Sequence, residues 1–180
     1  RLKPKPKGWT GTWSGRKPGS YEWFEIQDNV AYWPIFEKKK IISNKVTDRP
    51  NFSIDTSKSY LANTAYCFEA REAEFITGVL NSSTLHYVAK RVFADKEGGF
   101  YEVQPAALLD LPIPSCRNED KELLVAVVSA LVAGADRPRL EALINAFVYE
   151  LFFADELHAR NLHPFAAARE AGLVNLVALE

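Results

Sequence analysis

The sequence predicts an α+β fold: a small, mostly antiparallel sheet with one long helix, followed by a C-terminal helical hairpin. Three observations carry this reading. Short alternating apolar runs fill residues 21–70, a helical period takes over at Glu72, and two amphipathic stretches follow the paired prolines of LPIP at 111–114. With 180 residues, 47% of them hydrophobic and 12% aromatic, the chain can bury a substantial core. The expected organisation is a basic arm or linker at 1–20, a first domain at 21–115 and a helical region at 116–180.

Residues 1–20, RLKPKPKGWTGTWSGRKPGS, are crowded with Gly, Pro, Lys and Trp and hold neither a helical nor a strand period. Trp9 and Trp13 are expected to pack onto the domain. YEWFEI (21–26) alternates as a strand does, KIISNKV (40–46) does so less cleanly, and NFSI (51–54) and YLANTAYCFEA (60–70) continue the pattern, separated by TDRP and DTSKS turn chemistry. From Glu72 the apolar or small residues Phe75, Ile76, Val79, Leu80, Ser83, Thr84, Tyr87, Val88 and Val92 keep helical spacing, which predicts one helix through residue 93. A Gly pair at 98–99 ends that segment, GFYEV (99–103) returns to extended chain, and LPIP closes the domain. Leu123, Leu124, Val127, Val128 and Leu131 then share one helical face, and Leu140, Leu143, Ile144, Phe147, Val148 and Leu151 another; Gly134 and Pro138 mark the turn between them. A short helix is expected around residues 164–171.

Composition excludes several classes. The longest apolar run, LLVAVVSALVA at 123–133, is too short to span a bilayer, so no membrane role is expected and a soluble, cytoplasmic protein is. Cys67 and Cys116 lie far apart and form no CxxC pair, which reads as free, mostly buried thiols. A chain without methionine that begins inside a Lys/Pro-rich run is expected to be a piece of a longer protein. The net charge of -1 conceals a gradient: residues 1–50 carry 11 Lys/Arg against 5 Asp/Glu, and residues 119–180 carry 5 against 10. The basic end is the natural one to meet nucleic acid.

No G-x-S-x-G, Walker-type loop or GxGxxG occurs. His158 and His163 stand five residues apart, off the same-face helical interval, and lack a third ligand, while His86 is remote; ordinary polar or capping histidines are the reading, with no metal site. Asp55 with Glu69 and Arg71 has a nuclease-like look, but arginine stays protonated and cannot act as a base. Surface acids at strand ends explain these residues better, and Asp110 and Glu102 are read as surface acids too. Tyr60, Tyr66, Phe68 and Phe75 are assigned to the core.

The run YEWFEIQDNVAYWPIFEKKKIISNKVTDRPNFSID, then YLANTAYCFE, EFITGVLNSSTLHYVAKRV, GGFYEV and LLDLPIP, resembles the Taq-type C-terminal specificity domain over residues 21–114. That family is the target recognition domain of adenine-specific DNA methyltransferases and of fused, type IIG restriction-modification enzymes. Lys39 stands where the family pattern commonly has proline, and ALINAFVYELFFADEL (142–157) is similar to the segment that follows this domain in such enzymes. The resemblance implies a non-catalytic part that binds double-stranded DNA. It also implies a missing methyltransferase domain that carries S-adenosylmethionine and an Asn-Pro-Pro-aromatic motif for the flipped adenine. No cofactor is expected in the present chain, which lacks that motif.

On that reading Lys38, Lys39, Lys40, Lys45 and Arg49 contact DNA phosphates, displacing condensed counterions so that affinity falls with salt. Base reading is expected from Asn44 and Asn51, whose amides match adenine, and from Arg91, Lys96, Glu97 and Tyr101 on the segment after the long helix. Arg91 and Lys96 offer guanine-reading chemistry and Glu97 cytosine-reading chemistry. Either asparagine alone serves equally well to cap a turn, and the lysine run serves equally as a solubilising strand edge. The alternative from another class is a protein-interaction scaffold that docks a partner through the acidic helices.

Overall fold

A computed structural model describes residues 3–28 and 30–173. Two three-stranded antiparallel sheets, seven α-helices and two short 3-10 helices, Trp33–Glu37 and Glu97–Gly99, make up the regular structure of these residues. The first sheet has β1 (Lys40–Asn44) between β3 (Ser53–Asp55) and β4 (Ala65–Phe68). Register aligns Lys40 with Asp55 on one side and Ile41 with Phe68 on the other. The second sheet has β6 (Tyr101–Glu102) between β2 (Val46–Thr47) and β5 (Ala94–Asp95). Lys45 joins them: its N–H donates to Thr64 O at 2.8 Å and its carbonyl accepts from Val103 N at 2.8 Å. The KIISNKV stretch therefore serves two sheets, where the sequence suggested one.

YEWFEI forms no strand. Its carbonyls at Trp23 and Glu25 accept from the Arg16 guanidinium, and Trp23, Phe24 and Ile26 stay exposed, so a tract with strand alternation has no neighbouring strand to pair with. In the arm, Trp9 and Trp13 pack edge to face on each other, centroids 5.4 Å apart, and Trp9 remains exposed.

The long helix is two helices, α1 (Ala73–Asn81) and α2 (Ser83–Val92), broken at Ser82. Ser82 is extended and its Oγ accepts from Leu85 N at 3.2 Å, which makes it the N-cap of α2. Asn81 fixes the break from the other side: its amide donates to Phe52 O at 2.7 Å and its carbonyl accepts from Phe52 N at 3.0 Å. Apolar periodicity survives this kink because both helices face the same core.

After α3 (Pro105–Leu108) come α4 (Asn118–Val132) and α5 (Arg137–Phe152), the expected hairpin, then α6 (Ala154–His158) and α7 (Pro164–Glu170). Phe75 and Val79 of α1, Leu124 and Val127 of α4, and Phe147 of α5 belong to one buried cluster, so the chain on either side of residue 115 shares a core. Phe147 and Phe165 stack with centroids 4.4 Å apart and seat α7 on α5. Buried Asp120 accepts from Arg117 Nε at 2.8 Å and from the Arg169 guanidinium, tying the start of α4 to α7.

The α1–α4 crossing is close because Gly78 has no side chain: a Cβ there would lie 2.8 Å from Val128 Cγ2. Gly78→Leu is accordingly expected to overpack the crossing and cost about 1–3 kcal/mol. Urea unfolding of the chain and its variant measures this directly, and an unchanged midpoint would show that the helices can part freely.

Candidate nucleic-acid interface

Alternation along the second sheet decides what faces solvent. Tyr101 and Val103 point inward and Glu102 outward, so the segment from Ala94 to Glu102 is a hairpin anchored at its base by buried Tyr101, with a free tip. Lys96 N donates to Phe100 O at 2.8 Å and closes the tip. Between them Gly98 and Gly99 both take positive φ, 77° and 80°, which residues with a Cβ rarely adopt. Lys96, Glu97 and Phe100 are exposed there.

Glu102 is the pivot of this end of the molecule. Its carboxylate receives Lys96 Nζ at 2.8 Å and Lys45 Nζ at 3.7 Å. The Lys96 hydrogen bond leads in holding its carboxyl below the usual range. Glu102, expected as a surface acid, thus draws Lys45 of the first sheet's exit to Lys96 of the hairpin. Lys45 Nζ also lies 5.7 Å from the centre of the Tyr66 ring.

Lys38 and Lys39 sit at the other end of β1. Lys38 Nζ pairs with Glu69 at 2.9 Å, and Lys39 pairs with Glu74, whose carboxyl is thereby held low. From Lys39 to Lys45 is about 20 Å at extended-chain rise, close to six base-pair steps of duplex. All these lysines are exposed enough to exchange a carboxylate for a phosphate, since exposed ion pairs contribute little. Arg49 is exposed and rests 3.5 Å from Asp48.

Two of the expected contact residues face the interior. Lys40 is 0% exposed, with Nζ bonded to Asp55 and, at 3.0 Å, to Phe36 O, so it meets no phosphate. Tyr101 is 2% exposed and stacks on Phe93 with centroids 5.6 Å apart, and burial pushes its hydroxyl up to about 12; it anchors the hairpin and reads no base. Asn51 is half-committed: its carbonyl oxygen accepts from Ser43 Oγ at 2.9 Å and Asn44 N at 3.3 Å, which leaves no free amide face for bidentate adenine reading. The Asn44 side chain is exposed beside Lys45. Arg91, at the end of α2, lies 3.5 Å over the Tyr87 ring and donates to Tyr87 O at 2.7 Å.

The nuclease-like constellation dissolves in the same way. Asp55 is 7% exposed, not a surface acid, and all its acceptor positions face Lys40, Ser57 and Ser59. Glu69 belongs to Lys38. Cys67 and Cys116 are free; burial pushes both thiols up, Cys116 to about 11, opposite to a nucleophile's shift. Tyr60, expected in the core, is 63% exposed, its hydroxyl donating to Glu37 at 2.6 Å. Phe100 and Tyr87 are exposed aromatics beside the candidate face that the sequence reading missed. The signal for Phe100 was its place directly after the Gly pair.

Among the described residues no helix is long and apolar enough to cross a membrane. A family model described as TaqI-like C-terminal specificity domain matches residues 12–113, more than half of the chain, and the chain belongs to that family. The match begins inside the tract read as an arm. No curated protein matches the chain.

Proposed function

We propose that this TaqI-like C-terminal specificity domain, a DNA target recognition domain, selects the site for an adenine-specific DNA methyltransferase or a fused restriction-modification enzyme. The observation that carries the mechanism is the hairpin tip at Lys96–Phe100, free of packing and flanked by Lys45. A two-stranded ribbon fits the major groove, where base edges are distinguishable. Lys38 and Lys39 before β1 and Lys45 after it hold phosphates and set register; they carry no sequence information. Arg91, on its Tyr87 support, and Asn44 lie within the same recognition role.

The 180 residues contain no Asn-Pro-Pro-aromatic element to hold a flipped adenine. S-adenosylmethionine chemistry is therefore assigned to a separate methyltransferase part of the parent protein. That part is also the natural partner of this chain.

Duplex binding measured across a salt series tests the proposal. Replacing Lys38, Lys39 and Lys45 together by glutamine is expected to lower affinity on cognate and random duplexes alike, and to flatten the slope of log K against log salt by about 2 to 3. Binding with an unaltered slope would remove these lysines from the phosphate contacts. No duplex binding by the parent chain at all would favour the scaffold reading.

A further inference from the structure

The turn that ends α6 brings together residues the sequence keeps apart. Asn161 takes φ 57°, Asn161 N donates to His158 O at 2.9 Å, and Leu162 N donates to Leu157 O at 3.0 Å. This pair of bonds around a left-handed residue reverses the chain after a helix. His163 is thereby folded back over His158, ring centroids 4.4 Å apart, although five residues is the wrong interval for one helical face. Beneath them stands Glu150 of α5, 8% exposed, its Oε1 at 2.8 Å from His158 Nε2. One ligand atom from each of Glu150, His158 and His163 lies within 4.8 Å of the others.

We propose that Glu150, His158 and His163 form a binding site for a divalent transition-metal ion, with zinc the best fit, that clips α5 to the α6–α7 turn. Two imidazoles and one carboxylate are a recognised zinc donor set, and a fourth position is left for water. Ligand atoms about 2.0–2.1 Å from a tetrahedral ion stand roughly 3.3 Å apart. The His158–Glu150 pair opens by about half an ångström to admit the ion, and the His163 ring closes toward it. The carboxylate is held for this role: Glu150 Oε2 accepts from Phe165 N at 2.8 Å, the outer bond that typically orients a ligating group. Hydrogen-bonding to Glu150 alone explains His158. It does not explain why an exposed second imidazole is turned onto the same spot, and among the described residues no side-chain hydrogen bond of His163 accounts for it.

Titration of the full chain with zinc chloride, after stripping with a chelator, reads the site. One ion per chain bound in the low micromolar range or tighter is expected, with a rise in melting temperature that chelator reverses. His163→Ala should weaken binding at least about tenfold and leave the melting temperature in chelator nearly unchanged, since that exposed ring makes no side-chain hydrogen bond among the described residues and only rests on the His158 ring. His163→Cys should restore binding, because thiolate is also a zinc ligand. Substituting cobalt should give visible absorption that is lost in His163→Ala. Binding only at millimolar zinc, or tight binding indifferent to His163→Ala, overturns the proposal.

Discussion

Asp55→Ala is expected to cost about 3–5 kcal/mol of folding stability, because it strands the Lys40 ammonium in the core without its counter-ion. Lys40 is 0% exposed, and its remaining bond is to Phe36 O at 3.0 Å. A whole domain is stable by about 5–15 kcal/mol, so this one change removes a large share of the total. Urea titration gives the loss, and the double variant Lys40→Met with Asp55→Ala should recover part of it by removing the stranded charge. The same pair makes stability pH-dependent with a definite sign. Its hydrogen bond from Lys40, aided by those from Ser57, depresses the Asp55 carboxyl below its ordinary value of 3.8 in the folded chain. The stabilisation is therefore fully present above about pH 4 and lost as acid carries the pH down through the folded value. A variant lacking Asp55 should show a flatter acid limb; an unchanged limb would place the acid sensitivity elsewhere.

That ion pair also shows where sequence reading stops. FEKKKII reads as a block of charge before a strand, and Lys38 and Lys39 do remain exposed. What separates Lys40 from them is its register opposite Asp55, fifteen residues away on another strand. Local pattern holds no trace of that pairing. The helices from Asn118 onward were legible because their stripes bury themselves: Leu123, Leu124, Val127, Val128, Ile144, Phe147 and Val148 are all in the core. The break at Ser82 was legible but overridden, since Ser-Ser-Thr is a capping signal hidden inside continuous apolar spacing. In GFYEV the alternation was visible and its phase was not. Once Val103 is known to be inside, Tyr101 must join it and Phe100 must face out.

Phase also sets what the hairpin can do to DNA, and Lys96→Ala is expected to change which duplex the domain chooses. Lys96 and Glu97 stand at an exposed tip whose Gly98 and Gly99 let backbone approach a groove closely. A lysine reads the O6 and N7 acceptors of guanine, and a glutamate accepts from cytosine N4. Losing one such contact should weaken cognate binding by about 1–3 kcal/mol, roughly 5- to 150-fold, and leave random duplex close to unchanged. Selection from a randomised duplex pool, followed by competition at fixed salt, separates the two effects. Glu102→Gln supplies the opposing control. It releases Lys45 and Lys96 from a shared carboxylate, so affinity for all sequences should rise while the preferred site is retained. Equal losses on cognate and random DNA from Lys96→Ala would make this lysine another phosphate contact and move base reading to Arg91 and Asn44.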